Sequence, residues 1–177
     1  MNISPEDFGK LFDDFQREAF RLETRDDYSK SGGVAAYKAF LAGEGQPEGY
    51  ESAEWVTTVQ DAVRSGKRMY RVHVLSRPLS DYLRFELAWG YHRNQAVGEE
   101  FFILDTTERD NPLEGVPDFW AFDEHSIVPM RYSEDGKFLG AEVLSGSPEA
   151  AEWLEHRDVA MSHAVPFRAW WDRYAPG

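Results

Sequence analysis

Between Met69 and Leu75 the chain alternates Tyr70, Val72 and Val74 with Arg71 and His73. That two-residue period predicts a β-strand with one apolar face and one charged face. Ser76, Arg77 and Pro78 then mark a helix start, and helical spacing runs from about Leu79 to Trp89. Leu79, Tyr82, Leu83 and Leu87 form one stripe, and Phe85, Ala88 and Trp89 cover the other side. A helix apolar nearly all round belongs in an interior. Glu86 projects from the apolar stripe, where an unpaired carboxylate is costly. The pattern therefore predicts a cationic partner for it among Arg68, Arg71, Arg77 and Arg84. A structural ion pair is the plainer reading of such a pair than a catalytic or ligand-binding carboxylate.

The same periodicities organise the rest of the chain. Ser4-Pro5-Glu6-Asp7 opens a helix, and Phe8, Leu11, Phe12, Phe15, Ala19 and Leu22 carry its apolar face. A short helix is expected over Val34 to Leu41, followed by a loop through Gly43, Gly45, Pro47 and Gly49 that reads as a mobile connection. Trp55, Val56, Val59, Ala62 and Val63 give a third helix, closed by Gly66. Residues 1–66 thus read as a helical N-terminal part and 67–177 as a sheet-containing core. In the core, a turn is expected over Tyr91 to Gly98, a buried strand over Phe101 to Leu104, and a loop from Thr106 to Pro117. Strands over Phe119–Asp123, Ser126–Tyr132 and Phe138–Leu144 form an antiparallel meander, with Pro129 demanding an edge position or a bulge. A helix from Pro148 to about His163 and a short one carrying Trp170 and Trp171 complete the chain. The expected fold is one α+β domain: N-terminal helices, a mixed sheet of about five strands, a central buried helix and C-terminal helices.

Composition narrows the function classes. The 177 residues contain no cysteine, which removes disulfides, thiolate zinc sites and cysteine nucleophiles. No basic and apolar leader or membrane-length apolar run is present, so a cytoplasmic location is expected. The formal charge of −13 disfavours direct nucleic-acid or membrane binding. Against it, residues 64–93 hold seven basic and two acidic side chains, a local balance of +5. Arg68, Arg71, His73 and Arg77, joined by Arg84, Tyr91 and Arg93, form the candidate set for an anionic ligand, because guanidinium groups grip phosphate or carboxylate in a fixed fork. Glu86 belongs to the same stretch, and Asp81, Asp105 and Asp123 either complete the rim or neutralise it.

Common catalytic signatures are missing: no phosphate loop with its lysine, no G-x-S-x-G elbow, no H-E-x-x-H helix and no dinucleotide fingerprint. No cofactor and no metal centre are expected. Glu152, His156 and His163 share helical spacing, but such a pair arises readily by chance and reads as surface or core.

The strings Pro78–Leu87 (PLSDYLRFEL), Gly98-Glu99, Ile103-Leu104-Asp105, Asp118–Asp123 (DFWAFD), Phe138–Glu142 and Phe8–Phe12 resemble an actinobacterial family of unknown function over nearly the whole chain. The resemblance implies genes that lie beside helix-turn-helix regulators, and no catalytic residues. The order of elements also looks like one half of a phospholipase D-like domain. Such enzymes need a histidine with a lysine two residues on and an aspartate further along, so that the histidine attacks phosphorus. None of His73, His92, His125, His156 and His163 has that lysine. The expected function is therefore a non-enzymatic regulatory or interaction module working with a helix-turn-helix regulator. The alternative is an enzyme or sensor gripping an anionic ligand through the arginines.

Overall fold

The computed structural model describes residues 2–176. Helices α1 (Pro5–Asp14), α2 (Val34–Leu41) and α3 (Glu54–Arg64) precede most of the sheet, as the spacing predicts. Ser4 caps α1 by accepting from the Asp7 backbone N–H. The first helix, however, stops eight residues short of Leu22, and Glu18–Glu23 forms a strand, β1. The carboxylate of Asp123 accepts from the backbone N–H groups of Gln16, Arg17 and Glu18 at 2.6, 2.7 and 2.9 Å. Those donors are thereby drawn away from helical bonding, and the chain turns into the sheet. The residues before 67 are thus not purely helical.

The sheet has eight strands, not about five. β2 (Arg68–Leu75), β3 (Glu100–Asp105), β4 (Phe119–Phe122), β5 (Ser126–Tyr132) and β6 (Phe138–Ala141) follow the sequence pattern. β1 and the two-residue strands β7 (Leu144–Ser145) and β8 (Val165–Pro166) are additional, being too short or too charged to show a period. The order is β6-β5-β4-β1-β2-β3-β8, with β7 also on β5. β1, β2 and β3 are parallel, while β4, β5 and β6 form the expected meander. β5 is not an edge strand. Its outer side is shared between β7, opposite Ser126 and Ile127, and β6, opposite Met130 to Tyr132. Pro129 falls in the gap between them, where no ladder donor is required.

One face of the sheet carries Phe20, Leu22, Tyr70, Val72, Val74 and Phe119 against α6 (Pro148–His163). The other face is divided. Toward the strand starts, Ala19, Met69, Trp120 and Phe122 pack on α1 and α3. Toward the strand ends, Leu75, Phe101 and Ile103 pack on α2, on the central helix and on α7 (Phe167–Tyr174). Between these two apolar patches lies a seam of charge. No helix among the described residues is long and apolar enough to cross a membrane.

The central helix begins at Asp81, with Ser80 as its cap, and does not end in a turn near Tyr91. It runs as α4 (Asp81–Phe85), a π-helical turn over Glu86–Tyr91, and α5 (His92–Ala96). The wider π turn inserts an extra residue per turn and rotates the side chains that follow. His92 Nδ1, 2.8 Å from the Leu87 carbonyl, takes up an acceptor there.

Candidate functional site

The charged seam follows from strand register. β1 and β2 pair so that Arg21 lies beside Arg71 and Glu23 beside His73, and alternation sends all four side chains to the same face. Two neighbouring guanidinium groups repel unless carboxylates separate them. Asp118, just before β4, sits 3.0 Å from Arg21 and also accepts from the Thr24 backbone, the Thr24 hydroxyl and the Tyr28 hydroxyl. Arg71 donates from all three nitrogens: Nη1 to Glu23 at 2.8 Å, and Nε and Nη2 to Glu99 at 3.0 and 2.5 Å. Burial pushes the Glu23 carboxyl up, but Arg71, backed by Arg21, outweighs it and brings the pKa down to about 2. Arg21, Glu23, Glu99 and Asp118 are buried, and the Arg71 side chain is 11% exposed.

Glu86 stands apart from that set. Its Oε2 is shielded from solvent and has no hydrogen-bond partner among the described residues. The sequence pattern predicts a cationic partner, but Glu86 forms no ion pair among the described residues, and Arg71, whose charge acts on it, is already committed to Glu23 and Glu99. Burial pushes the Glu86 carboxyl well above the usual carboxylate range, and the neighbouring Glu23 charge adds to the effect. Both causes favour the neutral carboxyl over the carboxylate, which lessens the need for a counter-ion.

The π turn places Glu86, Gly90 and Tyr91 on the wall of a cavity of about 320 Å³ over the end of β1 and the middle of β2. Glu23 and Arg71 form part of its floor, Arg93 and Asn94 follow from α5, and Gly32 and Gly33 lie on the α2 side. Tyr28, Tyr50, Tyr82, Phe85 and Tyr132 supply aromatic surface. Arg93 donates to the Tyr50 carbonyl and to Asn94, and its guanidinium stacks 4.2 Å over the Tyr50 ring.

His73 lies behind this cavity and is fully buried. Its Nε2 is 2.9 Å from the Arg25 carbonyl, and since a carbonyl only accepts, that nitrogen carries hydrogen. Nδ1 lies 2.9 Å from the Tyr91 hydroxyl, which is also 3.1 Å from Glu23. The single phenolic hydrogen serves one of these acceptors at a time. Glu23, His73 and Glu86 each bring a donor atom within 4.8 Å of the others, a span compatible with a metal ion. Arg71 donates to a Glu23 oxygen in the same place, so a compact cation there faces a guanidinium at close range.

The structure brings together Arg71, His73, Glu86, Tyr91 and Arg93 from the sequence-derived set and disperses the others. Arg68 grips Glu100 at the start of β2, and Asp81 and Arg84 face each other at 4.0 Å on the exposed side of α4. Arg77 pairs with Asp105 at 2.6 Å and stacks on Tyr174, in a separate cleft beside α7. Asp123 is a backbone cap, as described above. His163 meets Arg109 at 2.8 Å on the surface. Sequence spacing did not single out Arg21, Glu23, Tyr28, Glu99 or Asn94. The i, i+2 charges of Arg21 and Glu23 were their one signal, hidden because Phe15, Ala19 and Leu22 also fit a helical period.

A model of a protein family described as "Domain of unknown function (DUF6879)" matches residues 6–172. The chain belongs to this family. A search of curated proteins finds no match to it. Among solved structures, this DUF6879 chain is similar to a phospholipase D family member, Nuc from Salmonella typhimurium, with a TM-score of 0.50 and 10% identity. The likeness covers 92% of this chain and 93% of that one, and at such identity it speaks for the fold alone. The element order had suggested the same architecture for this DUF6879 domain.

Proposed function

We propose that this DUF6879 domain is a non-enzymatic regulatory or interaction module on a phospholipase D-like fold, working with a helix-turn-helix regulator. His73 carries the non-enzymatic part. An imidazole that attacks phosphorus needs a free lone pair and access to substrate. His73 is 0% exposed, both its nitrogens are engaged, and Leu75 stands where a lysine two positions on would be. The formal charge of −13 supports docking on a basic partner, and Phe138 and Leu139 leave apolar surface on edge strand β6. The alternative of an anion site through the arginines has less support, because Arg21 and Arg71 already donate to carboxylates.

The test has two arms on the full chain. With bis(p-nitrophenyl) phosphate, no turnover that His73→Ala removes is expected; turnover lost in that variant overturns the non-enzymatic reading. Co-expression with the neighbouring regulator should give a complex on size exclusion that dissociates at about 0.5 M salt. Separate elution at low salt overturns the partnership.

A further inference from the structure

We propose that the cavity beneath the π turn binds a small organic cation of metabolite size, an amine, amidine or guanidine. This deepens the non-enzymatic reading by giving the module a ligand to sense, and it rests on that reading.

The donors and acceptors of the cavity are unequal. Arg71 spends each of its nitrogens on Glu23 or Glu99, Arg21 is held by Asp118 and Tyr132, and Arg93 is held by Tyr50 and Asn94. Each guanidinium that lines the cavity is thus already engaged, and the buried Arg25 Nε, which lacks a partner, belongs to a residue outside that lining. The acceptor side is the opposite. Glu86 Oε2 lacks a partner although it is shielded from water, and a Glu23 oxygen lies within 4.8 Å of a Glu86 oxygen. A buried acceptor without a donor is costly, and a ligand that brings N–H groups relieves it. Counting the side chains of the cavity and the seam together, four carboxyls (Glu23, Glu86, Glu99, Asp118) face three guanidinium groups (Arg21, Arg71, Arg93). One added positive charge balances them, and a cation beside Glu86 opposes the burial and the Glu23 charge that raise its carboxyl.

The walls agree with the charge. Tyr28, Tyr50, Tyr82, Phe85, Tyr91 and Tyr132 surround the space, and ring faces attract alkylammonium and guanidinium groups in desolvated sites. A metal ion uses none of this aromatic surface. The volume of about 320 Å³ lies at the lower end of small-molecule pockets, which fits a metabolite rather than a nucleotide.

Calorimetry and thermal shift on the full chain test the site with agmatine, putrescine and benzamidine, each at about 1 mM, with inorganic phosphate and Mn²⁺ as contrasts. At least one organic cation should bind and raise the melting temperature. Glu86→Gln should weaken that binding by about tenfold or more, since a charge-assisted pair is lost. Tyr50→Leu, which leaves the carboxylates in place, should weaken it severalfold, and the exposed Asp81→Asn should leave it unchanged. Binding of none of the three cations overturns the proposal, as does equal affinity in Glu86→Gln. A shift with phosphate alone returns the site to the arginines, and a Glu86-dependent shift with Mn²⁺ alone makes it a metal centre. Neither result bears on the phosphodiester or regulator arms, so failure here is separable from failure of the module reading.

Discussion

Arg71 and Arg77 are close in sequence, and each meets a carboxylate and aromatic rings, yet the two clusters are built for different ends. Arg77 is partly exposed, pairs with Asp105 and stacks on Tyr174; Asp105 also accepts from Thr107 and from the Trp170 indole. Water screens that pair, so its energetic stake is small. Arg71 lies under the sheet's helical cover with two carboxylates that have lost their hydration. The pairs there contribute little net stability, but removing one partner strands the others. The difference teaches that arginines alike in sequence divide into surface clamp and buried keystone by where they fall, Arg71 within β2 and Arg77 in the bend after it.

The largest expected effect follows directly. Arg71→Ala leaves Glu23 and Glu99 buried without their counter-ion and should cost about 3–5 kcal/mol in urea unfolding. A loss below about 1 kcal/mol would mean that water reaches the seam, and the comparison would break there.

Glu86→Gln sharpens the contrast within the buried region itself. The Glu86 carboxyl is raised in the folded state from an ordinary value of 4.5, so above the usual carboxylate range the folded protein holds a proton that the unfolded chain releases. Its contribution is fully present below that range and is lost as pH rises toward the folded pKa. The glutamine variant escapes this loss. It should match the wild type near pH 4 and exceed it by about 1 kcal/mol or more at pH 8, read from denaturation midpoints across pH. A gain at acid pH and none at pH 8 would show that Glu86 is ionised and paired.

The smallest effect belongs to the surface cluster. Arg77→Ala should change stability by less than about 1 kcal/mol, and by less still at high salt. A cost equal to that of Arg71→Ala would erase the distinction between the two arginines.

Much of this architecture was legible because it follows local period. The strand at Tyr70, Val72 and Val74, the run Phe101–Leu104, the meander and the helix from Pro148 to His163 all carry their burial in their spacing. β1 was not legible. Its Arg21 and Glu23 are charges in a central strand, and only partners distant in the chain, Asp118 and Arg71, make their burial tolerable. The candidate site divides the same way. Arg71, His73, Glu86, Tyr91 and Arg93 stood out in a basic stretch, and a surplus of basic residues pointed to an anion site, whereas their carboxylate partners Glu23 and Glu99 come from two other segments. The π turn left no signal either, since the apolar stripe from Leu79 continues through it.

The amino-acid sequence by itself determined the helices with capped starts, the apolar face of β2, the meander and the absence of cysteine chemistry, because each rests on neighbours within a few residues. Tertiary structure alone decided that β1 enters the sheet beside β2, that Arg71 is closed by Glu23 and Glu99, and that Glu86 faces a cavity without a partner. Those outcomes depend on which charges meet after strands from opposite parts of the chain come into register, and in a desolvated seam that meeting sets both the protonation and the cost of every group.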